Sequence, residues 1–128
     1  MSEISDTRKP KTVAFDFDGV ISDYHGFAGV EHTGEPIPEI VETIRKLKAL
    51  GSTIIVYSTR SDELIRDYCN KYSISVDYIN ENPLFPDATG SKPVAQVYVD
   101  DRAVCFRKQS AEALVEEIIN FEPYWKKV

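Results

Sequence analysis

The stretch Val13-Ala14-Phe15-Asp16-Phe17-Asp18-Gly19-Val20 decides the fold and the candidate site. Its apolar residues are typical of a strand that is buried on both faces in the middle of a parallel sheet. Because an unpaired carboxylate is costly to bury, we expect Asp16 and Asp18 where the strand ends, facing a cation or a ligand. Gly19 lets the backbone turn sharply and approach that ligand closely. The stretch therefore predicts an ion or phosphate site at the mouth of a sheet.

The hydrophobic pattern of the remaining chain predicts strands that alternate with helices. The predicted strands are 12–17, 53–57, 76–79, 94–99 and 104–106, and the predicted helices begin near Pro38, at Ser61 and at Ser110. The last helix should turn Leu114, Val115, Ile118 and Ile119 inward. Loop 20–37 is too short and irregular for a cap domain. This alternation indicates an α/β fold, a three-layer domain with a mostly parallel sheet, and 128 residues suffice for a single domain, 1–128, with residues 1–11 as a flexible tail.

Composition restricts the class of partner. The net charge of −6 argues against a sequence-independent grip on nucleic acid, which requires a basic face. The polar segment Met1–Pro10 lacks the apolar stretch of a signal peptide, and no run approaches membrane-spanning length, so we expect a cytoplasmic protein without membrane contact. Cys69 and Cys105 are interpreted as reduced core residues.

Polar side chains follow three of the predicted strands. Asp16 and Asp18 end the first, Ser58 follows the second, and Asp100 and Asp101 follow a later one. Parallel sheets bind ligands at the carboxyl ends of their strands, so these groups should share one site. Carboxylate and backbone oxygens suit Mg²⁺, for which the natural ligands are Asp16, Asp100 and the backbone carbonyl of Asp18.

This set of residues could hydrolyse a phosphate ester. Asp16 could attack phosphorus and form an aspartyl-phosphate, while Asp18 protonates the leaving group and later takes a proton from water. Ser58 and Lys92 could donate hydrogen bonds or positive charge to the phosphate oxygens.

The three segments D-F-D-G-V, I-I-V-Y-S-T-R and S-K-P-V-A-Q-V-Y-V-D-D-R-A together resemble the four motifs of the haloacid dehalogenase-like superfamily of phosphohydrolases. The likeness spans roughly residues 13–106. It is closest to small capless members, some of which are found with polysaccharide-biosynthesis genes or in phage genomes. The resemblance implies Asp16 as nucleophile, Asp18 as acid and base, Ser58 and Lys92 as the second and third motifs, and a fourth motif of Asp100 and Asp101. It also implies a Rossmann-like sheet of strand order 5-4-1-2-3.

The function expected from these features is Mg²⁺-dependent hydrolysis of a small phosphomonoester, such as a sugar phosphate. The expected metal-binding residues are Asp16, Asp18, Asp100 and Asp101, and the expected substrate-binding residues are Ser58, Thr59, Arg60 and Lys92. Asp101 could instead lie behind the metal ligands and pair with Arg102. Histidines in such loops are more often solvated than functional, and we expect this of His25 and His32.

The alternative functions are a nucleotide or 3′-end phosphatase and a non-catalytic module that binds Mg²⁺ and a phosphorylated ligand. Either a neighbouring subunit of a homo-oligomer or the loops could supply specificity.

Overall fold

A computed structural model describes residues 9–88, 90 and 92–126 of the chain. Four strands, three helices and a final 3₁₀ turn have the bounds Thr12–Asp16 (β1), Pro38–Ala49 (α1), Thr53–Tyr57 (β2), Asp62–Lys71 (α2), Tyr78–Ile79 (β3), Val97–Val99 (β4), Ala111–Ile119 (α3) and Tyr124–Lys126 (3₁₀ turn). The strands β3 and β4 are shorter than predicted. Both lie at an edge of the sheet, where only one neighbouring strand supplies hydrogen bonds.

The helices begin where the sequence predicts. Pro38 opens α1, a position at which its missing N–H costs nothing. Ser61 caps α2 by accepting a hydrogen bond from the Leu64 amide at 3.1 Å. Ser110 caps α3 in the same way, accepting from the Ala113 amide at 3.1 Å. Each side-chain oxygen satisfies one of the backbone N–H groups that a helix start leaves unpaired.

The four strands form one parallel sheet in the order β3-β2-β1-β4. Together with the three helices this is a small Rossmann-like α/β fold with β1 in the interior of the sheet. The predicted order 5-4-1-2-3 was wrong, because 104–106 does not form a strand and β4 is the outermost strand among the described residues. Phe106 is 64% exposed, which indicates that this short apolar run does not pack against a face of the sheet.

The core lies between the sheet and helices α1 and α2. The chain moves from β1 to β2 and then from β2 to β3 in the same direction across the sheet. Because connections between parallel strands are right-handed, helices α1 and α2 then lie on the same face of the sheet. The interior residues of β1 and β2 are buried. Those on one face, Val13, Phe15, Ile54 and Val56, pack with Ile44 of α1 and with Ile65 and Tyr68 of α2. This packing fixes the carboxyl ends of β1 and β2, from which the candidate site is built.

Helix α3 contributes no buried residue. The prediction that its apolar residues turn inward was wrong for Val115, Ile118 and Ile119, which are 55%, 55% and 74% exposed. The predicted third layer is therefore incomplete among the described residues. Helical periodicity shows that a helix has an apolar face, but it does not show whether another element covers that face.

The two cysteines differ in environment. Cys69 is buried in α2, as predicted, and burial raises the pKa of its thiol to about 11. The prediction that Cys105 lies in the core was wrong: it is exposed, because the segment after β4 does not join the sheet.

Throughout the described residues, every helix is too short or too polar to span a lipid bilayer.

Candidate functional site

The register of the sheet aligns three polar side chains across its carboxyl edge. Asp16 ends β1 and pairs with Tyr57 at the end of β2. On the other side of β1, Phe15 pairs with Val99, so Asp100 is the residue that follows the last pair. Paired residues of neighbouring parallel strands lie about 4.8 Å apart and point to the same face. Tyr57, Asp16 and Asp100 therefore form a row across three adjacent strands.

Three carboxylates converge at this edge. Asp16, Asp100 and Asp101 each offer one oxygen, and these oxygens all lie within 4.8 Å of one another. The Phe17 amide donates to Asp16 Oδ1 at 2.7 Å, which leaves Oδ2 of the same carboxyl unused by this bond. An all-oxygen set of this kind suits a hard divalent cation. The sequence-predicted residues Asp16, Asp100 and Asp101 thus come together.

Asp100 is held by hydrogen bonds to both of its oxygens. The Tyr57 hydroxyl donates to Oδ2 at 2.6 Å, and the Arg102 amide donates to Oδ1 at 2.8 Å. Burial, followed by the hydrogen bond and the negative charge of Asp100, raises the pKa of the Tyr57 hydroxyl. Tyr57 therefore remains a protonated donor at neutral pH and fixes the orientation of the Asp100 carboxylate.

The protonation of Asp16 reflects its crowded surroundings. Burial, opposed by the Phe17 amide but reinforced by Asp101 and Asp100, raises the pKa of the Asp16 carboxyl to about 7. Carboxylates placed this close cannot all ionise without a positive charge between them. A bound divalent cation would supply that charge and would return Asp16 to its ionised form.

Asp101 provides an independent test of whether the site fits a cation. Its Oδ2 accepts a hydrogen bond from Trp125 Nε1 at 2.6 Å. Its Oδ1 is buried and has no hydrogen-bond partner among the described residues. A buried polar atom without a partner is costly, and a carboxylate oxygen in this condition beside two other carboxylates fits a metal ligand. Asp16, Asp100 and Asp101 are the side chains that could hold a metal ion.

The side chain of Asp18 lies outside this cluster. Its two oxygens accept from Arg60 Nε at 2.9 Å and from Arg60 Nη2 at 3.1 Å. The Arg60 side chain is only 8% exposed, and it also donates to the Val30 carbonyl at 2.7 Å. Arg60 therefore joins Asp18 to the loop between β1 and α1.

Arg60 lines a neighbouring cavity, and the other predicted substrate-binding residues, Ser58, Thr59 and Lys92, line a cavity beside the carboxylates. Its volume is about 640 Å³, and its walls are Asp16, Asp18, Tyr24, Tyr57, Ser58, Thr59, Lys92, Asp101 and Arg102. Ser58 Oγ accepts from the Arg60 amide at 3.0 Å, so its own O–H can donate to a ligand. Lys92 Nζ lies 4.2 Å from the centre of the Tyr98 ring. Ser58 after β2 and Lys92 in the loop before β4 thus place a hydroxyl and an ammonium group in the same cavity as the carboxylates.

A second cavity of about 790 Å³ adjoins the first and shares Asp18, Tyr24 and Thr59 with it. Loop 20–37 supplies one side and the start of α2 supplies the other. The remaining lining residues include three acids and several apolar side chains: Phe27, Val30, Glu31, Arg60, Ser61, Glu63, Leu64 and Asp67. This mixture suits the uncharged part of a small ligand better than a second phosphate.

Sequence reasoning missed three aromatic contributors. Tyr57 was assigned only to a strand, yet it contacts Asp100. Trp125 donates to Asp101, and the Tyr124 hydroxyl donates to the Gly19 carbonyl at 2.7 Å. The stretch 121–125 contains three aromatic residues, but nothing local in it identifies the carboxylate that its indole would meet. His25 lies 3.4 Å from Asp23 at the exposed surface, and both histidines lie away from the three carboxylates that form the cluster.

The chain is similar to two solved structures in particular. A conserved protein from Bacteroides thetaiotaomicron is 27% identical, with a TM-score of 0.61 over 87% of this chain and 90% of that one. A chain of the Pnkp1/Rnl/Hen1 RNA repair complex is 23% identical, with a TM-score of 0.54 over 76% of this chain. This chain covers 38% of the RNA repair chain, and that likeness shows the fold alone. No protein-family model matches, and no curated protein matches by sequence.

Proposed function

We propose that this protein is a Mg²⁺-dependent phosphatase that hydrolyses a small phosphomonoester through an aspartyl-phosphate. The observation that carries the proposal is the meeting of Asp16, Asp100 and Asp101 beside a cavity that also contains Ser58 and Lys92. Carboxylates for a cation, a nucleophile and phosphate-binding donors are the parts that this chemistry requires. The motif resemblance to haloacid dehalogenase-like phosphohydrolases supports the same assignment.

The first chemical step forms a bond between Asp16 and phosphorus. Oδ2 of Asp16 is the attacking atom, because Oδ1 accepts the Phe17 amide. As this bond forms, the bond from phosphorus to the ester oxygen breaks, and the alcohol leaves with a proton from Asp18. Asp16, Asp100 and Asp101 would hold the Mg²⁺, which would supply positive charge to the phosphate oxygens and favour ionised Asp16. In the second step a water molecule attacks phosphorus, Asp18 takes its proton, and the bond from phosphorus to Asp16 Oδ2 breaks, which releases phosphate and restores the Asp16 carboxylate.

Asp18 can act as an acid only when its pairing with Arg60 is relaxed. In the ligand-free arrangement both Asp18 side-chain oxygens accept hydrogen bonds from Arg60, so neither is available to the ester oxygen of a substrate. A phosphate in the cavity offers Arg60 a stronger partner, because it carries more charge than a single carboxylate. We infer that Arg60 shifts from Asp18 to the substrate phosphate, where Ser58 and Lys92 also donate.

The acidic wall of the second cavity favours a small substrate. Glu31, Glu63 and Asp67 line the space that the leaving group would enter. These carboxylates would repel the further phosphates of an oligonucleotide, whereas a sugar offers hydroxyl groups that can donate to them. The second candidate is the 3′-end phosphatase that the sequence offered as an alternative, because this activity needs the same carboxylates and phosphate-binding donors.

The test is release of inorganic phosphate from a panel of sugar phosphates, nucleotides and a 3′-phosphorylated oligonucleotide, with and without Mg²⁺. We expect turnover of at least one sugar phosphate that depends on Mg²⁺ and is abolished by Asp16→Asn. Glu112→Gln is the matched control, because it also converts a carboxylate to an amide but lies exposed on α3.

Each alternative has its own outcome. Preferred turnover of the oligonucleotide would support the 3′-end phosphatase. Ligand binding without phosphate release across the whole panel would support a non-catalytic module. Retained turnover in Asp16→Asn would contradict Asp16 as the nucleophile.

A further inference from the structure

The aromatic end of the described chain contacts the candidate metal site directly. Trp125 belongs to the 3₁₀ turn Tyr124–Lys126, and it is 5% exposed. Its Nε1 donates to Asp101 Oδ2 across 24 residues of sequence. This bond is short, at 2.6 Å, and it joins the end of the described chain to the carboxyl edge of the sheet.

The indole is itself held on several sides. The ring of Tyr24 meets it edge-on with a centroid distance of 4.9 Å, and the Arg102 guanidinium carbon lies 5.2 Å from its ring. The neighbouring Tyr124 hydroxyl ties the same turn to the Gly19 carbonyl. These contacts come from both the loop after β1 and the segment after β4. The indole N–H therefore has a defined position relative to the carboxylates.

The absence of a side chain at Gly19 leaves room for the contact between Trp125 and Asp101. A Cβ atom at this position would lie 2.3 Å from Asp101 Oδ2 and 3.2 Å from Trp125 Nε1. Its φ of +84° is also one that residues with a side chain rarely adopt. The loop after β1 thus leaves space for the hydrogen bond between Trp125 and Asp101.

The two oxygens of Asp101 have contrasting surroundings. Oδ2 is occupied by the indole, and Oδ1 is buried without a hydrogen-bond partner among the described residues. A donor fixed on one oxygen sets the rotation of the carboxyl group and leaves the other as a single ligand atom. Groups that hydrogen-bond to metal ligands in this way orient them and tune their affinity for the metal.

We propose that Trp125 is a positioning residue that orients Asp101 for Mg²⁺ binding. The inference rests on the magnesium site of the proposed function, and it adds a donor from outside the four motifs. Trp125 touches neither the substrate nor the reacting atoms. It acts through Asp101, and its removal should weaken metal binding more than it weakens the chemical step at saturating Mg²⁺.

The first measurement compares Mg²⁺ affinity by calorimetry in wild-type protein, Trp125→Phe and Tyr68→Phe. Trp125→Phe keeps an aromatic ring but removes the N–H donor, and we expect its Kd for Mg²⁺ to rise about tenfold or more. Tyr68→Phe is the matched control: it also removes the hydrogen bond of a buried aromatic donor, but this bond of 2.8 Å ends on the Gly34 carbonyl, away from the carboxylate cluster. We expect this control to keep the wild-type affinity.

The second measurement needs no variant, so it holds even if Trp125→Phe fails to fold. The chain has one tryptophan and therefore one indole N–H resonance. That resonance should shift during a Mg²⁺ titration of the wild-type protein, with the midpoint that calorimetry gives. A resonance that stays in place at saturating Mg²⁺, or a folded Trp125→Phe with wild-type affinity, would overturn the inference alone. Absence of Mg²⁺ binding by the wild-type protein would overturn the magnesium site and the inference with it.

Discussion

Asp16 is the residue at which the folded state most changes the chemistry of a side chain. Its carboxyl ends a buried strand and faces two further carboxylates. Burial and this neighbourhood raise its pKa to about 7, whereas the ordinary value is 3.8. The proton that Asp16 retains relieves the repulsion in the metal-free site, and a cation would replace that proton. Metal binding and protonation therefore compete for the same group.

The raised pKa predicts a pH dependence of stability in metal-free protein. A group that binds its proton more tightly when folded stabilises the fold at low pH, and this contribution is lost as pH rises between the unfolded and folded pKa values. For Asp16 this window runs from 3.8 to about 7. Asp16→Asn lacks the titration, so its free energy of unfolding should rise relative to wild type by up to about 1 kcal/mol per pH unit.

Urea unfolding in the presence of a chelator, at several pH values across that window, would measure this difference. Comparing wild type with Asp16→Asn cancels the contributions of the carboxyl groups that the two proteins share. A difference that stays constant with pH would contradict the raised pKa of Asp16.

Helices α2 and α3 start in the same way but are integrated differently into the fold. Ser61 and Ser110 each cap a helix through a hydrogen bond of 3.1 Å. Helix α2 buries Ile65, Tyr68 and Cys69, whereas α3 buries no residue. The stability of α2 is therefore coupled to the core, and that of α3 is coupled to it only weakly.

This difference predicts unequal effects of two identical substitutions. Ser61→Ala should lower the free energy of unfolding by about 1 kcal/mol, because the cap of a core helix is lost. Ser110→Ala removes the same type of bond, but α3 can fray while the core stays folded, so the loss should be less than half as large. Urea unfolding followed by circular dichroism compares them, and equal losses would contradict the weak coupling of α3.

At the scale of the whole molecule, an acidic chain places three of its carboxylates in one cluster. The net charge is −6, so self-repulsion already opposes the compact state. The cluster adds local repulsion between carboxylates, which a bound divalent cation would remove. We therefore expect this site to destabilise the metal-free fold and to stabilise the metal-bound fold.

Mg²⁺ should accordingly stabilise the protein against unfolding. At a concentration one hundred times Kd, the gain in free energy of unfolding is expected to be about 2.7 kcal/mol. Thermal unfolding with and without Mg²⁺ measures it, and NaCl at equal ionic strength controls for general screening. An equal gain from NaCl, or an undiminished gain in Asp16→Asn, would show that the cluster does not bind the cation.

Much of the fold could be predicted from local patterns. Apolar runs located β1 and β2, and the residues Pro38, Ser61 and Ser110 located the helix starts. The edge strands were predicted too long, and 104–106 was predicted as a strand that does not form. Propensity over a few residues does not reveal whether a neighbouring strand is available for pairing, and this is what decides an edge strand.

The sequence by itself determined the alternating strands and helices and the positions of the acids at strand ends, because periodicity and capping depend on residues only a few positions apart. Only the tertiary structure decided that Arg60 pairs with Asp18, that Tyr57 and Trp125 hold Asp100 and Asp101, and that α3 stays uncovered. These contacts join segments that are distant in sequence. They depend on how the packed strands and loops bring side chains together, and no local pattern encodes that distance or direction.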